Sequence, residues 1–279
     1  MFHEGVADAS MRLLLSAGTK PVDNMPDLQE RYSPGAFIPT GPWRTPSTDD
    51  LECLLYDPAR HERSWSVGVD VAIVRIPKEI ACGFEAMLED HGVRGQCDAT
   101  SYCSVSKHPQ WAENVAALNQ CVAKLSPGRT TDAIYFRISD PGQFTVTKDE
   151  FGASRQRLAG MHLDSWDRLP LRHRHRSRNR LCINFSREAR YSLFINLPLL
   201  SMFRYLGLSD PTDIYSDYRG LSVGQRFMGA CPDYPVVRLQ IEPGEAYILP
   251  TDNAIHDAST VGNRFPDITL TYLGYFSPA

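Results

Sequence analysis

Residues 236–249 read VVRLQIEPGEAYIL, two apolar runs on either side of a Pro243-Gly244 pair. Short runs of this kind, bounded by turn residues, predict two strands, Val236–Glu242 and Glu245–Leu249, joined by a tight turn. Seven more short strands are expected in the same half of the chain, at Ala133–Ser139, Gln143–Thr147, Gln156–Trp166, Arg180–Ser186, Tyr191–Leu197, Ile255–Ser259 and Ile268–Phe276. Nine short strands with one helical interruption, at Ser201–Leu208, favour a double sheet of the jelly-roll or cupin type.

The first 130 residues carry mostly helical patterns. Helices are predicted at Ala7–Ala17, after the capping residues 47–50, and at Pro77–His91 and Pro109–Leu125. One buried strand is predicted at Val67–Ile76. We therefore expect a single α+β domain over residues 1–279, in which a mainly β core (131–279) is backed by a helix-rich N-terminal region (1–130).

Composition excludes several classes of protein. The chain has 279 residues and a net charge of −4, with 22% charged residues, which is typical of a globular protein and argues against a nucleic-acid binder. It contains no apolar run of the ~18 residues that a membrane span needs, and its start lacks the pattern of a secretory signal. Seven scattered cysteines without a Cys-x-x-Cys pair indicate a reducing compartment. We expect a cytoplasmic enzyme with no nucleic-acid or membrane partner; the oligomeric state stays open.

His162-Leu163-Asp164 is the candidate for chemistry. Residues i and i+2 of a strand point to the same side, so the imidazole and the carboxylate of this motif converge. His256 on a neighbouring strand would complete a two-His-one-carboxylate set, which leaves open positions on Fe(II). His173 and His175 share the spacing, but five arginines alternate around them, and their positive charge opposes the binding of a dication.

The order of these motifs carries a resemblance. His162-Leu163-Asp164, then residues 180–185 (RLCINF), then residues 243–250 (PGEAYILP) leading to His256, then residues 269–272 (TLTY), resemble the Fe(II)/2-oxoglutarate-dependent oxygenase superfamily. In outline the chain is similar to the compact hydroxylases of free amino acids and other small molecules. The resemblance implies a double-stranded β-helix barrel, with His162, Asp164 and His256 as ligands of Fe(II), and with 2-oxoglutarate and O2 as cosubstrates.

The reaction follows from the same resemblance. Such an enzyme converts 2-oxoglutarate to succinate and CO2 while it hydroxylates, desaturates or cyclises an unactivated C–H position of its substrate. We expect the substrate to be a small polar metabolite, an amino acid or an intermediate of specialised metabolism. The halogenating members of the superfamily replace the carboxylate ligand with a small residue, so the intact Asp164 disfavours halogenation.

One feature departs from the family pattern. An arginine commonly stands roughly ten or eleven residues after the distal histidine and pairs with the 5-carboxylate of 2-oxoglutarate, a task suited to a guanidinium. Here those positions are Pro266 and Asp267. The candidates for this role, in order of expectation, are Arg264, Arg180 and Arg190.

Residues that touch the substrate are harder to predict. Trp166 and Arg168 continue outward from the metal motif, while Tyr135 and Arg137 lie two apart on a predicted strand. All four are candidate substrate contacts, and packing or solvent exposure is the alternative for each. The basic tract 172–180 is either a solvated loop or a lid whose arginines meet an anionic substrate.

Two other functions stay open at this point. The first is a cupin-fold iron oxidase or dioxygenase that takes its electrons from the substrate and does not use 2-oxoglutarate. The second is a cupin-like binding protein without catalytic activity, which would bind Fe(II) weakly or not at all.

Overall fold

The strand-rich half of the chain forms two sheets that pack face to face. The computed structural model describes residues 2–3, 9–55, 65–95, 105–149, 157–208 and 221–278. Its strands are β1 (Phe2–His3), β2 (Leu13–Leu15), β3 (Gly18–Pro21), β4 (Phe37–Thr40), β5 (Val71–Arg75), β6 (Asp132–Ser139), β7 (Asn179–Asn184), β8 (Arg190–Phe194), β9 (Val237–Ile241), β10 (Glu245–Leu249), β11 (His256–Ser259) and β12 (Asp267–Gly274). The larger sheet has the order β1-β5-β10-β7-β12-β6, the smaller one β11-β8-β9-β2, and β3 pairs with β4.

The path from β7 to β12 defines the architecture. Successive strands lie in the larger, smaller, smaller, larger, smaller and larger sheet, and every pair that they form with one another is antiparallel. This alternation between two facing sheets is the arrangement of a jelly roll, or double-stranded β-helix. The predicted α+β class with a mainly β core is confirmed. The hydrogen bonds among the described residues form separate sheets, so the expected barrel is two facing layers and not a closed ring.

Helices cover the outer faces of both sheets. They are α1 (Pro26–Gln29), α2 (Thr48–Leu54), α3 (Lys78–Asp90), α4 (Trp111–Lys124), α5 (Leu199–Tyr205) and α6 (Leu221–Ala230), with 3-10 turns at Ala9–Arg12, Val22–Asn24 and Leu171–Arg176. None of the helices in the described ranges is both long enough and apolar enough to span a membrane.

Alternation along the strands builds two separate apolar layers. In β7, Leu181 and Ile183 face outward and pack on α3 and α4, where Phe84 stacks on Phe185 with ring centroids 4.3 Å apart. Cys182, between them, faces the other sheet together with apolar side chains of β2, β5, β9 and β10. A third apolar cluster joins α5 and α6 to the outer face of β8. The space between the sheets is thus apolar in one part, and the remainder is available for a site.

The N-terminal region does more than back the core. The helix predicted at Ala7–Ala17 is wrong over the described residues, because a 3-10 turn at Ala9–Arg12 leads directly into β2; residues 7 and 8 lie outside them. Leu13 and Leu15 both face the interior and pair with β9. The side chains here therefore alternate with the two-residue period of a strand and not with the roughly 3.6-residue period of a helix. Strand β5, which confirms the strand predicted at Val67–Ile76, joins the larger sheet.

The strand predicted at Gln156–Trp166 is also wrong over its described residues, 157–166. Only isolated bridges occur there, at Leu158 and His162. Gly160 has a φ of 73°, and a Cβ at this position would lie 2.6 Å from the carbonyl oxygen of Phe37, so a turn interrupts the segment. The strand predicted at Gln143–Thr147 is likewise an irregular segment.

Candidate metal centre

His162 and His256 are held side by side by their own backbones. The His162 amide donates to the His256 carbonyl at 3.0 Å, and the His256 amide donates to the His162 carbonyl at 2.8 Å. Directly opposed residues of this kind carry their side chains close together. The two imidazole centroids are accordingly 4.6 Å apart.

Asp164 completes the group. Its amide donates to the Thr251 carbonyl at 3.0 Å, which places the carboxylate beside both rings. His162 Nε2 lies 3.7 Å from one carboxylate oxygen, and His256 Nε2 lies 3.5 Å from the other. One donor atom from each of the three residues lies within 4.8 Å of the others. The predicted ligand set is therefore brought together.

The orientation of the rings suits a metal ion. His162 Nδ1 lies 2.8 Å from the Gly160 carbonyl oxygen, and His256 Nδ1 lies 3.1 Å from that of Ala254. A proton on each Nδ1 leaves the lone pair on Nε2. The Nε2 atom of His256 is buried and has no hydrogen-bond partner among the described residues. An unsatisfied buried nitrogen beside a carboxylate is accounted for by a cation, so the residues fit a divalent metal.

Electrostatics keep two of the three donors, His256 and Asp164, in their ligating forms. Burial lowers the pKa of His256 to about 3, so its imidazole is neutral at physiological pH. Burial alone would raise the pKa of Asp164, but the charge of Arg180 and the two imidazoles outweigh burial and hold it below its ordinary value. Burial would lower the pKa of His162, but Asp257 and Asp164 raise it. Asp164 is therefore a carboxylate, and metal binding at His162 competes with a proton.

Arg180 belongs to the metal group. Its Nη2 lies 2.6 Å from Asp164 Oδ2, and its guanidinium lies 5.8 Å from the Trp166 ring centroid. Asp164 is also supported from behind, because Arg174 Nη1 donates to its carbonyl at 3.0 Å. The Asp252 carboxylate accepts hydrogen bonds from the backbone amides of Trp166 and Asp167, which follow Asp164 in the chain. The segment that carries the carboxylate is thus fixed on both sides.

A polar cavity adjoins the metal group and shares His256 with it. Its walls come from strands of both sheets, and its lining consists of Tyr135, Arg137, Ser139, Val146, Thr147, Arg180, Cys182, Arg190, Tyr247, His256, Asp257, Ala258, Asp267, Thr269 and Thr271. Alternation explains the polar wall, since Thr269 and Thr271 of β12 point inward while Ile268 and Leu270 pack outward.

An ion pair also lines the cavity. Arg190 Nε lies 3.0 Å from Asp267 Oδ1, and Nη1 of the same arginine donates to Cys182 Sγ at 2.9 Å. Arg180 lines the same cavity from β7 and contacts Asp164 instead. The two arginines therefore pair with different carboxylates.

The three arginine candidates are not equivalent in the structure. Arg264, ranked first from the sequence, is 83% exposed and pairs with Glu188 at 3.4 Å. Its backbone amide also donates to Glu188, so the turn carries the side chain away from the cavity. That ranking needs correction: Arg180 and Arg190 are buried and line the cavity, and Arg264 does not.

The four candidate substrate residues divide into two pairs. Tyr135 and Arg137 line the cavity, where Arg137 Nη2 also donates to the Val146 carbonyl at 2.6 Å. Trp166 and Arg168 are exposed, and Trp166 keeps 42% of its surface accessible. Arg168 has a φ of 50°, a left-handed conformation that is uncommon outside glycine.

The basic tract 172–180 is ordered structure and not a solvated loop. It consists of the end of the 3-10 turn Leu171–Arg176 and the start of β7. Arg174 is buried beneath Asp164, and Arg178 pairs with Asp167 at 2.7 Å. Arg172 and Arg176 are exposed. Part of the tract therefore supports the metal group.

Sequence reasoning missed several residues of the cavity. Asp257, Thr147, Cys182 and Tyr247 all line it. For Cys182 a signal existed, because Arg180, Cys182 and Asn184 alternate with Leu181 and Ile183 and so predict a polar inner face. No comparable signal marks Thr147, which lies in an irregular segment.

No protein-family model matches the chain, and no curated protein matches it. Two solved structures are similar to it. The Kdo hydroxylase KdoO, described as a non-heme Fe(II) alphaketoglutarate dependent dioxygenase in complex with cobalt(II), has 15% identity and a TM-score of 0.40, with 75% of this chain and 81% of that one covered. The iron and alpha-ketoglutarate-dependent endoperoxidase NvfI has 10% identity and a TM-score of 0.35, with 96% and 98% covered.

Proposed function

We propose that this chain is a non-haem Fe(II)- and 2-oxoglutarate-dependent oxygenase that acts on an unactivated C–H bond of a small polar metabolite. The observation that carries the proposal is the group of His162, Asp164 and His256, whose donor atoms lie within 4.8 Å of one another beside a polar cavity. Two imidazoles and one carboxylate on one side of an iron ion leave its other positions open. These three residues would hold the metal.

Charge supports 2-oxoglutarate as the cosubstrate. The cavity and the metal group together contain three arginines and three aspartates, which are Arg137, Arg180, Arg190, Asp164, Asp257 and Asp267. Their formal charges cancel, so a bound divalent cation would leave two uncompensated positive charges. Buried charges need partners, and the dianion of 2-oxoglutarate carries the two negative charges that are required.

Arg190 is the proposed partner of the 5-carboxylate. It is 3% exposed and lines the cavity from the start of β8. Arg180 already contacts the proposed metal ligand Asp164, so its guanidinium serves that carboxylate. Arg190 contacts Asp267 and Cys182, and neither is a candidate metal ligand. Its guanidinium can therefore bind the distal carboxylate of a ligand whose other end lies at the metal group.

When bound, Fe(II) and 2-oxoglutarate supply the activation of O2 for attack on a C–H bond, with succinate and CO2 as coproducts. The residues of the chain bind and orient: Asp164 holds the metal as a carboxylate and keeps Arg180 beside it. The buried walls from β7 and β12 exclude water around the reacting groups. Asp164 takes the position that halogenation would require to be free, which favours hydroxylation, desaturation or cyclisation.

The proposed substrate contacts are Tyr135 and Arg137 inside the cavity, and Trp166 and Arg168 at its outer side. Arg180 connects the two pairs, since its guanidinium lies 5.9 Å from the Tyr135 ring and 5.8 Å from that of Trp166. Most of the residues that line the cavity are polar or charged, which supports a small polar metabolite.

A second candidate is an iron oxidase or dioxygenase that takes its electrons from the substrate and does not use 2-oxoglutarate. One observation favours it: both buried arginines already have carboxylate partners, Arg180 with Asp164 and Arg190 with Asp267. In this case neither guanidinium would need an external carboxylate.

Coproduct formation separates the two functions. The Fe(II)-loaded protein is expected to convert 2-oxoglutarate to succinate in the presence of O2, slowly alone and faster with a substrate from a panel of small polar metabolites. Removal of the metal by a chelator should abolish succinate formation, and added Fe(II) should restore it, because the open metal positions are required. Substrate-dependent O2 consumption without succinate would contradict the proposal and support the second candidate.

A further inference from the structure

Asp257 is a buried carboxylate that follows the metal-ligand candidate His256 in β11. It is 2% exposed and is not one of the three predicted metal ligands. Its two oxygens have different surroundings, and this difference indicates a function.

One oxygen is fully occupied by donors. Asp257 Oδ1 accepts from the Val146 amide at 3.1 Å, the Thr147 amide at 3.2 Å, the Thr147 hydroxyl at 3.1 Å and the Ala258 amide at 2.7 Å. Four donors on one oxygen fix the plane of the carboxylate and hold the irregular segment around residue 146 in place.

The other oxygen faces a metal ligand. Asp257 Oδ2 has no hydrogen bond from the described residues, and it lies 3.5 Å from His162 Nδ1. The same nitrogen is 2.8 Å from the Gly160 carbonyl oxygen. Two acceptors behind Nδ1, one of them charged, keep the proton there and aim Nε2 at Asp164.

We propose that Asp257 is a positioning residue for the metal ligand His162. Asp257 lies in β11, the strand that carries His256, and it contacts His162 across the backbone bridge between the two histidines. Among the residues that the structure describes, His256 has the Ala254 carbonyl behind its Nδ1 and no carboxylate there, so the charged support is specific to His162. The inference rests on the proposed function in one respect, that His162 holds a metal ion.

The substitution that isolates this role is Asp257→Asn. The four donors hold the amide oxygen at the Oδ1 position, so the new amide N–H group takes the Oδ2 position and faces the Nδ1–H of His162. Two N–H groups then face each other, and the His162 ring loses the charged carboxylate oxygen that accepts from its Nδ1–H. With Co(II) as probe, under anaerobic conditions, we expect a dissociation constant about 10- to 100-fold higher than that of the wild type and an altered visible Co(II) spectrum.

Asp70→Asn is the matched control. Asp70 is a buried aspartate before β5 whose Oδ2 accepts from the Ser66 amide, and it is not part of the metal group. Its Co(II) affinity and spectrum should equal those of the wild type. A folded Asp257→Asn protein with wild-type Co(II) affinity and spectrum would overturn the inference and leave the proposed function intact. A wild-type protein that binds no Co(II) would overturn the proposed function, and the inference with it.

A measurement on the wild type covers the case in which Asp257→Asn does not fold. In the Zn(II)-loaded protein, 15N NMR of the histidine rings is expected to show a proton on Nδ1 of His162, retained against exchange. A His162 ring that carries its proton on Nε2 would overturn the inference, because Asp257 would then face a nitrogen without a proton to accept.

Discussion

Replacement of Asp164 by asparagine is expected to lower Fe(II)- and 2-oxoglutarate-dependent turnover by more than about 100-fold. Substitution of residues that only support metal ligands already costs about 10- to 100-fold, and Asp164 is the one anionic donor of the metal group. Asparagine keeps the volume and leaves an oxygen for the guanidinium of Arg180, which lies 2.6 Å from the carboxylate. The loss is therefore assigned to charge at the metal and not to a cavity.

The measurements are succinate formation and the iron content of the protein after anaerobic loading. Asp164→Ala should have the same functional defect with a larger loss of stability, since it leaves Arg180 buried without its partner. The Asp70→Asn variant controls for the removal of a buried carboxylate elsewhere and should keep its turnover. Wild-type turnover and iron content in Asp164→Asn would remove Asp164 from the ligand set.

Replacement of Arg190 by methionine is expected to raise the KM for 2-oxoglutarate by at least about 100-fold and to change the KM for the substrate much less. Truncating one partner of a buried charge pair between a protein and its ligand costs about 2–5 kcal/mol of binding free energy, and the middle of that range corresponds to a factor of roughly 100 or more in affinity. Methionine preserves much of the volume of the arginine stem. The readout is the ratio of the two KM values, which a general loss of folded protein does not change.

Three further variants sharpen this test. Arg190→Met leaves Asp267 without the cation that lies 3.0 Å away, so Asp267→Asn is added to relieve the unpaired buried charge. Arg264→Ala is the control, because its exposed side chain forms a surface ion pair with Glu188, and surface pairs contribute about 0–1 kcal/mol. A raised KM for 2-oxoglutarate in Arg264→Ala or Arg180→Ala, with none in Arg190→Met, would show that the assignment is wrong.

Local patterns predicted several strands of the core and the convergence of His162 and Asp164. Alternation in residues 236–249 and their turn pair predicted β9 and β10, which the structure confirms. His162 and Asp164 were expected to converge because residues two apart in an extended chain share a side. That geometry holds even though His162 lies in an isolated bridge and not in a regular strand. The two side chains of the motif can therefore converge without belonging to a hydrogen-bonded strand of a sheet.

Contacts between distant segments could not be predicted in the same way. Arg264 is near the distal histidine in sequence, but Glu188 binds both its backbone amide and its side chain and turns it outward. Leu13 to Leu15 fit a helical pattern as well as a strand, and pairing with β9 decides for the strand. Asp257 gave no signal, because its partners come from residues 146, 147 and 162, which only the fold brings near it.

The most direct test of the proposed site is optical. Anaerobic addition of Fe(II) and 2-oxoglutarate to the wild-type protein is expected to give the visible charge-transfer band of Fe(II) with a bound 2-oxo acid, because His162, Asp164 and His256 leave the remaining metal positions open. The band should be absent from Asp164→Asn and should require a much higher 2-oxoglutarate concentration in Arg190→Met. Wild-type protein that binds Fe(II) but shows no band at saturating 2-oxoglutarate would contradict the proposed function.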